Sequence, residues 1–430
     1  MARTNNYKWV KRGKDEKERY LNYGIIMDAG STGTRLFVYE WNNPRNCYAS
    51  PYVRPSLHTS GPKQGKQYSI KKSGGLADLN PNQVQSYLKD FIGNVTRFVP
   101  KSEHSKTPIF LKATAGMRLL SKKQSNDIME QVKEVLKTSS FKFDLKFGAQ
   151  VIPGEYEGIF GWLAGNYMAG VLNNNNNTAT GLSYGMLDMG GASCQITFEA
   201  SQVPIENSFP ISLNGTSRIL YTHSYLRFGR NEAKSRYEVN EINPLSKGYG
   251  EKIKDPCFVK GYKGKTKDNI EFEGSGDFKR CISNTKRLLL KDSFCSTMSC
   301  AINGVYQPDI PDDMKLIAVS AMYGVANWFK CKGKSNIQCL LKNADSVCSN
   351  LNHEEYLKVY SKTSDDKNIN DYCFMAAYIV NIVKEGYGLS LDRTIYFDEE
   401  IDSVEIGWTL GAMIYEVNSL SLPGKNCAFH

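Results

Sequence analysis

The sequence predicts an α/β protein made of two related domains that face each other across a cleft. With 430 residues, the chain is longer than a single hydrophobic core usually serves. A glycine-tipped β-hairpin is predicted from Tyr23, in YGIIMDAGSTGTRLFVYEW, and a similar one from Tyr184, in YGMLDMGGASCQITFE. The first strand of each hairpin ends in an aspartate, and Asp28 and Asp188 lie 188 − 28 = 160 residues apart. A hairpin that recurs at domain-sized spacing indicates a duplicated architecture.

Further elements are predicted around the hairpins. Helical spacing of apolar residues occurs at 82–98, 125–136 and 158–172, and PIFLKATAGMRLL from Pro108 is typical of a buried strand, a turn and a helix start. Buried helices are also predicted in YCFMAAYIVNIVKEGYGL and IGWTLGAMIYEVN. The run NNNNNT at 173–178 is predicted to be a surface loop, and the cysteine-rich stretch 255–350 to be irregular and held by disulfides.

The composition indicates a folded chain with an anionic partner. Hydrophobic residues make up 41% and charged residues 23%, and the net charge of +10 suits phosphate-rich substrates. The first 20 residues carry seven basic and three acidic side chains, which we interpret as a solvated lead-in and not as a nucleic-acid arm. This lead-in lacks the apolar middle of a signal peptide. No apolar run reaches the roughly 18 residues of a membrane span, so no span is expected. Since the charged lead-in is interpreted as solvated, no nucleic-acid partner is expected either.

The cysteines indicate an oxidising compartment. Nine of the 11 cysteines fall between Cys194 and Cys373, without the paired CxxC spacing of a zinc site. Disulfides therefore fit better than a structural metal. Three Asn-X-Ser/Thr sequons, at Asn94, Asn176 and Asn214, agree with export. We predict a chain that is secreted or resides in the lumen of the secretory pathway.

The two hairpin tips have the chemistry of phosphate-binding turns. Turns of Gly, Ser and Thr allow backbone N–H groups to approach phosphate oxygens closely. The aspartate that heads each turn suits a divalent cation that bridges phosphates, directly or through water. One such turn is more often only a turn, but two of them, each headed by aspartate, favour a phosphate site. The hydroxyls that add donors are those of Ser31, Thr32, Thr34 and Ser193.

Five segments resemble, in order and spacing, the signature regions of the apyrase family, the nucleoside triphosphate diphosphohydrolases: DAGSTGTR (28–35), KATAGMR (112–118), GEYEGIFGW (154–162), DMGGASCQ (188–195) and GWTLGAM (407–413). YTHSYLRFG (221–229) and DPCF (255–258) are similar to further family segments. The resemblance covers roughly residues 23–418. It implies two actin-like, ribonuclease H-like domains with a nucleotide cleft between them. The implied division is a basic lead-in at 1–22, domain I at 23–153 plus 399–430, and domain II at 154–398, with a disulfide-stapled insertion at about 255–350.

The resemblance also implies roles for individual residues. Glu157 would take a proton from the attacking water, which Ser193 and Gln195 would position. Asp28 and Asp188 would organise Ca²⁺ or Mg²⁺ through its water shell, and Tyr323 would stack on the nucleobase. The residues implied to bind phosphate are Ser31, Thr32, Gly33, Thr34, Arg35, Thr114, Arg118, Gly190, Gly191 and Ala192. Arg118 either neutralises phosphate charge or braces its loop, and both roles stay open.

Simpler interpretations stand beside these. Glu157 could merely cap a helix that starts near Gly158, Glu155 suits a solvated surface position, and Tyr323 could be a core side chain. The histidines show no ligand spacing. A catalytic role for Cys194 is not favoured, since no Cys–His arrangement accompanies it, and a small buried thiol is expected.

The family pattern implies the disulfides Cys257–Cys281, Cys295–Cys300 and Cys348–Cys373. Cys331 and Cys339 are expected to form a local extra bridge. Arg227 stands where family members often carry another cysteine, so one expected bridge is missing. Whether Cys47 pairs with Cys427 is left open.

The predicted function is cation-dependent hydrolysis of nucleoside tri- and diphosphates to monophosphates by direct attack of water. One alternative is an exopolyphosphatase-like enzyme of the same superfamily, and another is a nucleotide-gated conformational protein, for which no partner-binding domain is visible. A catalytically inactive nucleotide-binding protein is disfavoured because the expected polar positions are filled. The oligomeric state is left open.

Overall fold

The computed structural model describes residues 21–42, 51–59, 62–172, 183–213, 216–247, 253–297, 299–360, 369–401 and 404–419. The described chain forms two units, within the limits Met1–Ser183, Pro210–His223 and Glu399–His430 for the first, and Tyr184–Phe209 and Ser224–Asp398 for the second. The 173–178 loop, Asn176, Asn214, Cys47 and Cys427 lie outside the described residues, as does nearly all of the lead-in.

The strands are β1 (Leu21–Ala29), β2 (Gly33–Asn42), β3 (Val53–Pro55), β4 (Ser69–Ser73), β5 (Ile109–Ala113), β6 (Ala149–Val151), β7 (Gly185–Met189), β8 (Ser193–Glu199), β9 (Ser208–Leu213), β10 (Thr216–Leu226), β11 (Ile253–Asp255), β12 (Lys263–Lys265), β13 (Glu271–Gly274), β14 (Leu316–Ser320), β15 (Gly333–Ser335), β16 (Ile395–Phe397), β17 (Glu400–Ile401) and β18 (Val404–Glu405). The helices are α1 (Val84–Phe98), α2 (Ala115–Arg118), α3 (Lys122–Lys137), α4 (Gly154–Met168), α5 (Arg230–Tyr237), α6 (Phe278–Arg287), α7 (Ala321–Trp328), α8 (Ile337–Asn350), α9 (His353–Tyr360), α10 (Tyr372–Asn381) and α11 (Trp408–Ser419).

The two main sheets repeat one pattern of pairing. In the first, β1 pairs antiparallel with β2 and parallel with β5, which pairs parallel with β6, and β3 lies beyond β2. In the second, β7 pairs antiparallel with β8 and parallel with β14, which pairs parallel with β16, and β10 lies beyond β8. The predicted α/β class and the two similar hairpins are confirmed. Hydrophobic runs in the central strands suit parallel strands that are covered on both faces.

Apolar spacing correctly located α1 and α3 in the first unit. The buried side chains of α1 are Val84, Tyr87, Leu88, Phe91 and Val95, which follow the three- and four-residue steps of one helical face. They pack, with α3, on the strands that carry the first glycine turn. The predicted helix at 125–136 begins three residues earlier, because Ser121 caps it and its hydroxyl accepts a hydrogen bond from the Gln124 N–H at 3.3 Å.

The helix predicted to start near Gly158 starts at Gly154, so that expectation was wrong by about one turn. Pro153 is the reason, since proline lacks an N–H and is tolerated where a helix begins. The apolar run begins only at Ile159, and the spacing of apolar residues therefore predicted the start of the helix too late. The consequence for the site is that Glu157 lies inside the first turn of α4.

The stretch 255–350 is more regular than predicted. It contains a small sheet in the order β11-β13-β12 and the helices α6 and α8. Polar residues on the buried face of α6, Asn284 and Thr285, concealed its periodicity. The four predicted disulfides are confirmed: Cys257–Cys281, Cys295–Cys300, Cys331–Cys339 and Cys348–Cys373.

The two predicted buried helices near the carboxyl end are also confirmed. Helix α10 is almost wholly buried and continues into a π-helical turn at Ile382–Gly386, and the chain then passes through Gly388 at φ 72°. Helix α11 packs along α4 within the first unit. Among the described residues, the model has no helix whose length and hydropathy would allow it to traverse a bilayer.

Candidate active site

The two glycine turns have the same geometry. In the first, the Gly30 N–H donates to the Gly33 carbonyl at 3.0 Å, and in the second the Gly190 N–H donates to the Ser193 carbonyl at 2.9 Å. Asp28 pairs across its hairpin with Arg35, and Asp188 pairs with Gln195 at the corresponding position. Residues paired in this way project from one face of the sheet. Each turn thus carries an aspartate beside a polar partner.

The second turn presents a row of backbone donors. The carbonyl oxygens of Gly190, Gly191 and Ala192 accept hydrogen bonds of 2.8–3.0 Å from backbone N–H groups in the segment 227–231. In a trans peptide the C=O and N–H of one plane point in opposite directions. The N–H groups of Gly191, Ala192 and Ser193 therefore point away from that segment. Successive N–H groups with a shared direction form an anion-binding concavity.

Gly229 holds the second turn closely from behind. A Cβ at this position would lie 2.5 Å from the Ser193 nitrogen and 2.6 Å from the Ala192 nitrogen. These are backbone atoms that cannot rotate away, so only glycine allows this approach. The sequence segment YTHSYLRFG contains Gly229, but reasoning from the sequence assigned it no role.

Gly229→Ala is therefore expected to displace the second turn and, with the nucleoside triphosphate substrate that the resemblance implies, to lower kcat/KM about tenfold or more, because misplaced binding groups cost transition-state stabilisation. Steady-state phosphate release measures this. Gly93→Ala is the control, since a Cβ at Gly93 meets no atom within 4 Å. Equal activity of Gly229→Ala and wild type would show that the position of this turn does not matter.

The first turn is enclosed by glycines that the sequence analysis did not single out. The Thr32 carbonyl accepts from the Gly74 N–H at 3.1 Å. A Cβ at Gly75 would lie 2.7 Å from the Ser31 carbonyl oxygen, and one at Gly116 would lie 2.9 Å from the Ser31 Cα. The adjacent glycines 74 and 75 were the available signal in the sequence. Thr114 is buried beside the same turn and donates its N–H to the Ala29 carbonyl at 3.1 Å.

Glu157 forms an ion pair with Arg118. The Arg118 Nη2 donates to the Glu157 Oε1 at 2.5 Å, and the two side chains are 16% and 10% exposed. Arg118 ends α2, directly after the strand and turn of the second signature segment, while Glu157 belongs to α4. Tertiary packing within the first unit therefore brings together two residues that the sequence keeps 39 positions apart.

Gln195 connects two serine hydroxyls. Its Nε2 donates to the Ser193 Oγ at 2.8 Å and to the Ser224 Oγ at 2.9 Å. Ser193 and Gln195 are buried at 2% and 3% exposure, and they stand two residues apart on β8 and so on the same face. Ser224 lies on β10. The sequence analysis quoted the segment that contains Ser224 without assigning this residue.

Two further predicted site residues have other surroundings. The Arg35 Nη1 donates to the Glu405 Oε1 at 2.7 Å, so an acidic residue of β18 holds the guanidinium. Tyr323 lies half-buried in the first turn of α7, the helix that follows β14. Ser320 immediately precedes α7 with φ 57°, an uncommon value for a residue other than glycine.

Cys194 is a buried thiol, as expected. Burial raises its pKa to about 12, and the Tyr387 hydroxyl donates to its Sγ at 3.6 Å. A thiol with such a pKa stays protonated at neutral pH, and the thiolate is the nucleophilic form. Cys194 therefore lacks the features of a nucleophile. Burial acts in the opposite direction on His223, whose pKa it lowers, and the charge of Glu155 opposes this shift.

Each glycine turn carries one carboxylate of the kind that a hydrated divalent cation uses. Asp28 and Asp188 are half-buried at the ends of central strands, each beside a glycine turn. In the part of the chain that the structure describes, no group of three or more His, Cys, Asp or Glu side chains could enclose an ion. Mg²⁺ commonly keeps several waters and takes one or two carboxylates together with substrate phosphates. In each unit, one half-buried carboxylate beside a glycine turn has the chemistry of such a ligand.

Comparison with known proteins agrees with these features. The model of the GDA1/CD39 (nucleoside phosphatase) family matches residues 14–427. The chain belongs to this family. The predicted family and enzyme class are thereby confirmed, and the five signature segments all fall within the matched region.

Relatives within the GDA1/CD39 family are similar over most of the chain. The Golgi apyrase of Schizosaccharomyces pombe is 30% identical over 444 residues, which cover 94% of this chain and 76% of that protein. Ectonucleoside triphosphate diphosphohydrolase 1 of Rattus norvegicus is 30% identical over 440 residues, covering 93% and 82%. Ectonucleoside triphosphate diphosphohydrolase 8 of Bos taurus is 31% identical over 428 residues, covering 92% and 82%.

The fold is also that of a solved structure. The crystal structure of nucleoside triphosphate hydrolases from Neospora caninum superimposes with a TM-score of 0.65 at 14% identity, covering 92% of each chain. At this identity the likeness concerns the fold alone.

Proposed function

We propose that this member of the GDA1/CD39 family removes terminal phosphates from nucleoside tri- and diphosphates by direct attack of water, with a divalent cation bound. The observation that carries the proposal is the pair of equivalent glycine turns, each headed by an aspartate. It is supported by the buried ion pair of Glu157, the strongest candidate for a base. The names of the relatives, an apyrase and nucleoside triphosphate diphosphohydrolases, support the substrate class.

The role that we propose for each residue follows from its surroundings. The N–H groups of the turn at 190–193, together with the turn at 31–34, bind the phosphate oxygens. Asp28 and Asp188 hold Ca²⁺ or Mg²⁺ through its waters, and the cation neutralises charge on the phosphates when it is bound. Thr114 and Arg35 support the first turn and contribute to phosphate binding, and Tyr323 stacks on the base.

In the reaction, Glu157 accepts a proton from the attacking water. The water oxygen forms a bond to the terminal phosphorus while the bond from that phosphorus to the bridging oxygen breaks. Ser193 and Gln195 hold that water in line. Arg118 fixes the Glu157 carboxylate by the 2.5 Å contact. Positioning and charge stabilisation account for most of the rate in phosphoryl transfer, and this arrangement of neutral donors and one carboxylate suits it.

We further propose that the two units correspond to two actin-like domains and that the protein works in the secretory pathway or outside the cell. The four disulfides support an oxidising compartment. The similarity to the Golgi apyrase of Schizosaccharomyces pombe supports a lumenal location.

The test is phosphate release from ATP, ADP and polyphosphate with Ca²⁺, Mg²⁺ or excess chelator. We expect release from both nucleotides with either cation, and loss of at least about 90% of the activity in chelator, because uncompensated phosphate charge repels an incoming nucleophile. Release from polyphosphate without release from nucleotides would instead indicate the exopolyphosphatase alternative. Full activity in chelator would contradict the role of Asp28 and Asp188.

A further inference from the structure

A row of polar side chains crosses three neighbouring strands of the second sheet. Asp188 on β7 is the cross-strand partner of Gln195 on β8, and β10, which carries Ser224, lies next to β8. Their chain neighbours Leu187 and Cys194 are buried and project from the opposite face of the sheet. The alternation of the pleat thus separates a polar face from the core.

The hydrogen bonds that Gln195 already makes determine which atom of its side chain can bind a further partner. A primary amide nitrogen carries two protons, and the amide oxygen accepts. Nε2 of Gln195 donates to the Ser193 Oγ at 2.8 Å and to the Ser224 Oγ at 2.9 Å, so both protons are used. The group that the amide can present to a third partner is therefore the acceptor Oε1.

We propose that Ser224 is a positioning residue that holds the Gln195 amide in the orientation in which Oε1 accepts a hydrogen bond from the attacking water. This inference rests on the proposed function. With one water proton bound by Gln195 Oε1 and the other transferred to Glu157, a lone pair of the water oxygen faces phosphorus. The P–O bond to water forms as the bond to the bridging oxygen breaks, and Gln195 gains or loses no proton.

The role of Ser224 follows from the freedom of the amide without it. Ser193 alone engages one amide proton, and the terminal torsion of glutamine is broad. The amide could then turn so that Nε2 faces the water. Because Nε2 is a donor, it could not accept a hydrogen bond from the water, and the water would lose this orienting contact. A second anchor on the neighbouring strand removes this freedom. Serine suits the position because its oxygen can accept while its own proton points elsewhere.

The experiment is a double-mutant cycle of Ser224→Ala and Gln195→Ala with ATP and Mg²⁺. We expect Ser224→Ala to lower kcat about tenfold with KM unchanged, since a misoriented positioning group affects the transition state more than substrate binding. In a background of Gln195→Ala, the Ser224→Ala substitution should lower kcat no further. Ser224→Thr, which keeps the hydroxyl, should restore most of the rate.

Additive losses in kcat, or a rise in KM alone, would overturn the proposal, because Ser224 would then not act through Gln195. Thermal unfolding of each variant shows whether the fold is kept. If Ser224→Ala does not fold, Ser224→Cys replaces it, with a weaker acceptor of similar size and an intermediate rate expected. Glu157→Gln is run alongside. If it retains full activity, the proposed function fails, whereas a slow Glu157→Gln with a normal Ser224→Ala rejects only the role of Ser224.

Discussion

Glu157→Gln is expected to lower kcat at least about a hundredfold with ATP and with ADP, because the amide cannot accept the proton of the attacking water. The substitution keeps the size of the side chain, and the buried position in the first turn of α4 accommodates it. Phosphate release under saturating nucleotide measures the effect. Nucleotide binding, measured separately by calorimetry, should change little.

Glu155→Gln is the matched control for this prediction. Glu155 lies in the same first turn of α4, but it is half-buried where Glu157 is buried. Its activity should stay near that of wild type, although the same charge is removed from the same helix end. A Glu157→Gln enzyme as fast as Glu155→Gln would reject the assigned base.

The Arg118 contact requires a second comparison. Loss of the Glu157 charge leaves a buried guanidinium without its ion-pair acceptor, which can itself destabilise the fold. Arg118→Met removes the guanidinium and keeps Glu157. A base that needs Arg118 only for orientation should then retain more activity than Glu157→Gln retains.

Gly411→Ala is expected to cause the largest loss of stability, about 3 kcal/mol or more, because overpacking forces backbone shifts. Helix α11 contacts α4 at this residue, and a Cβ there would lie 1.9 Å from the Phe160 carbonyl oxygen and 2.7 Å from its carbonyl carbon. The obstacle is backbone, so the two helices must separate. Since α4 also carries Glu157, activity should fall together with the midpoint of thermal unfolding.

Gly161→Ala provides the matched control for Gly411→Ala. Gly161 lies in α4, next to Phe160, and a Cβ there meets no atom within 4 Å. In a helix interior the change from glycine to alanine usually stabilises by about 0.5–1 kcal/mol. A Gly411→Ala protein as stable as wild type would show that this helix contact is not tight.

Much of the fold could be predicted because its signals are local. The two hairpins were predicted from an apolar strand, a small-residue turn and a second strand, and α1, α3, α10 and α11 from the spacing of their apolar residues. The start of α4 was predicted about one turn too late, and the helices α6 and α8 were not predicted. Proline at a helix start and polar residues on a buried face hide the periodicity on which such predictions depend.

The residues of the candidate site likewise fall into those that a local sequence signal identifies and those that only the folded structure identifies. Short motifs surround Glu157, Asp28 and Asp188, and these motifs allowed the three residues to be predicted from the sequence. No motif assigned a role to Gly229, Gly75 or Ser224. Their importance arises from close approach or from one hydrogen bond to a residue distant in the sequence. Ser224, for instance, is 29 residues from Gln195 and has no local pattern of its own.

The amino-acid sequence by itself determined the duplicated hairpins and the family, since both depend on contiguous segments. The resemblance to that family then implied three of the disulfide pairs, and the short spacing of Cys331 and Cys339 indicated the fourth. Only the tertiary structure decided that Arg118 pairs with Glu157, that Ser224 shares Gln195 with Ser193, and that Gly229 and Gly411 admit no side chain. The physical reason is that hydrogen bonds and steric contacts act over a few ångströms. Their partners are therefore known only once folding has brought distant segments together.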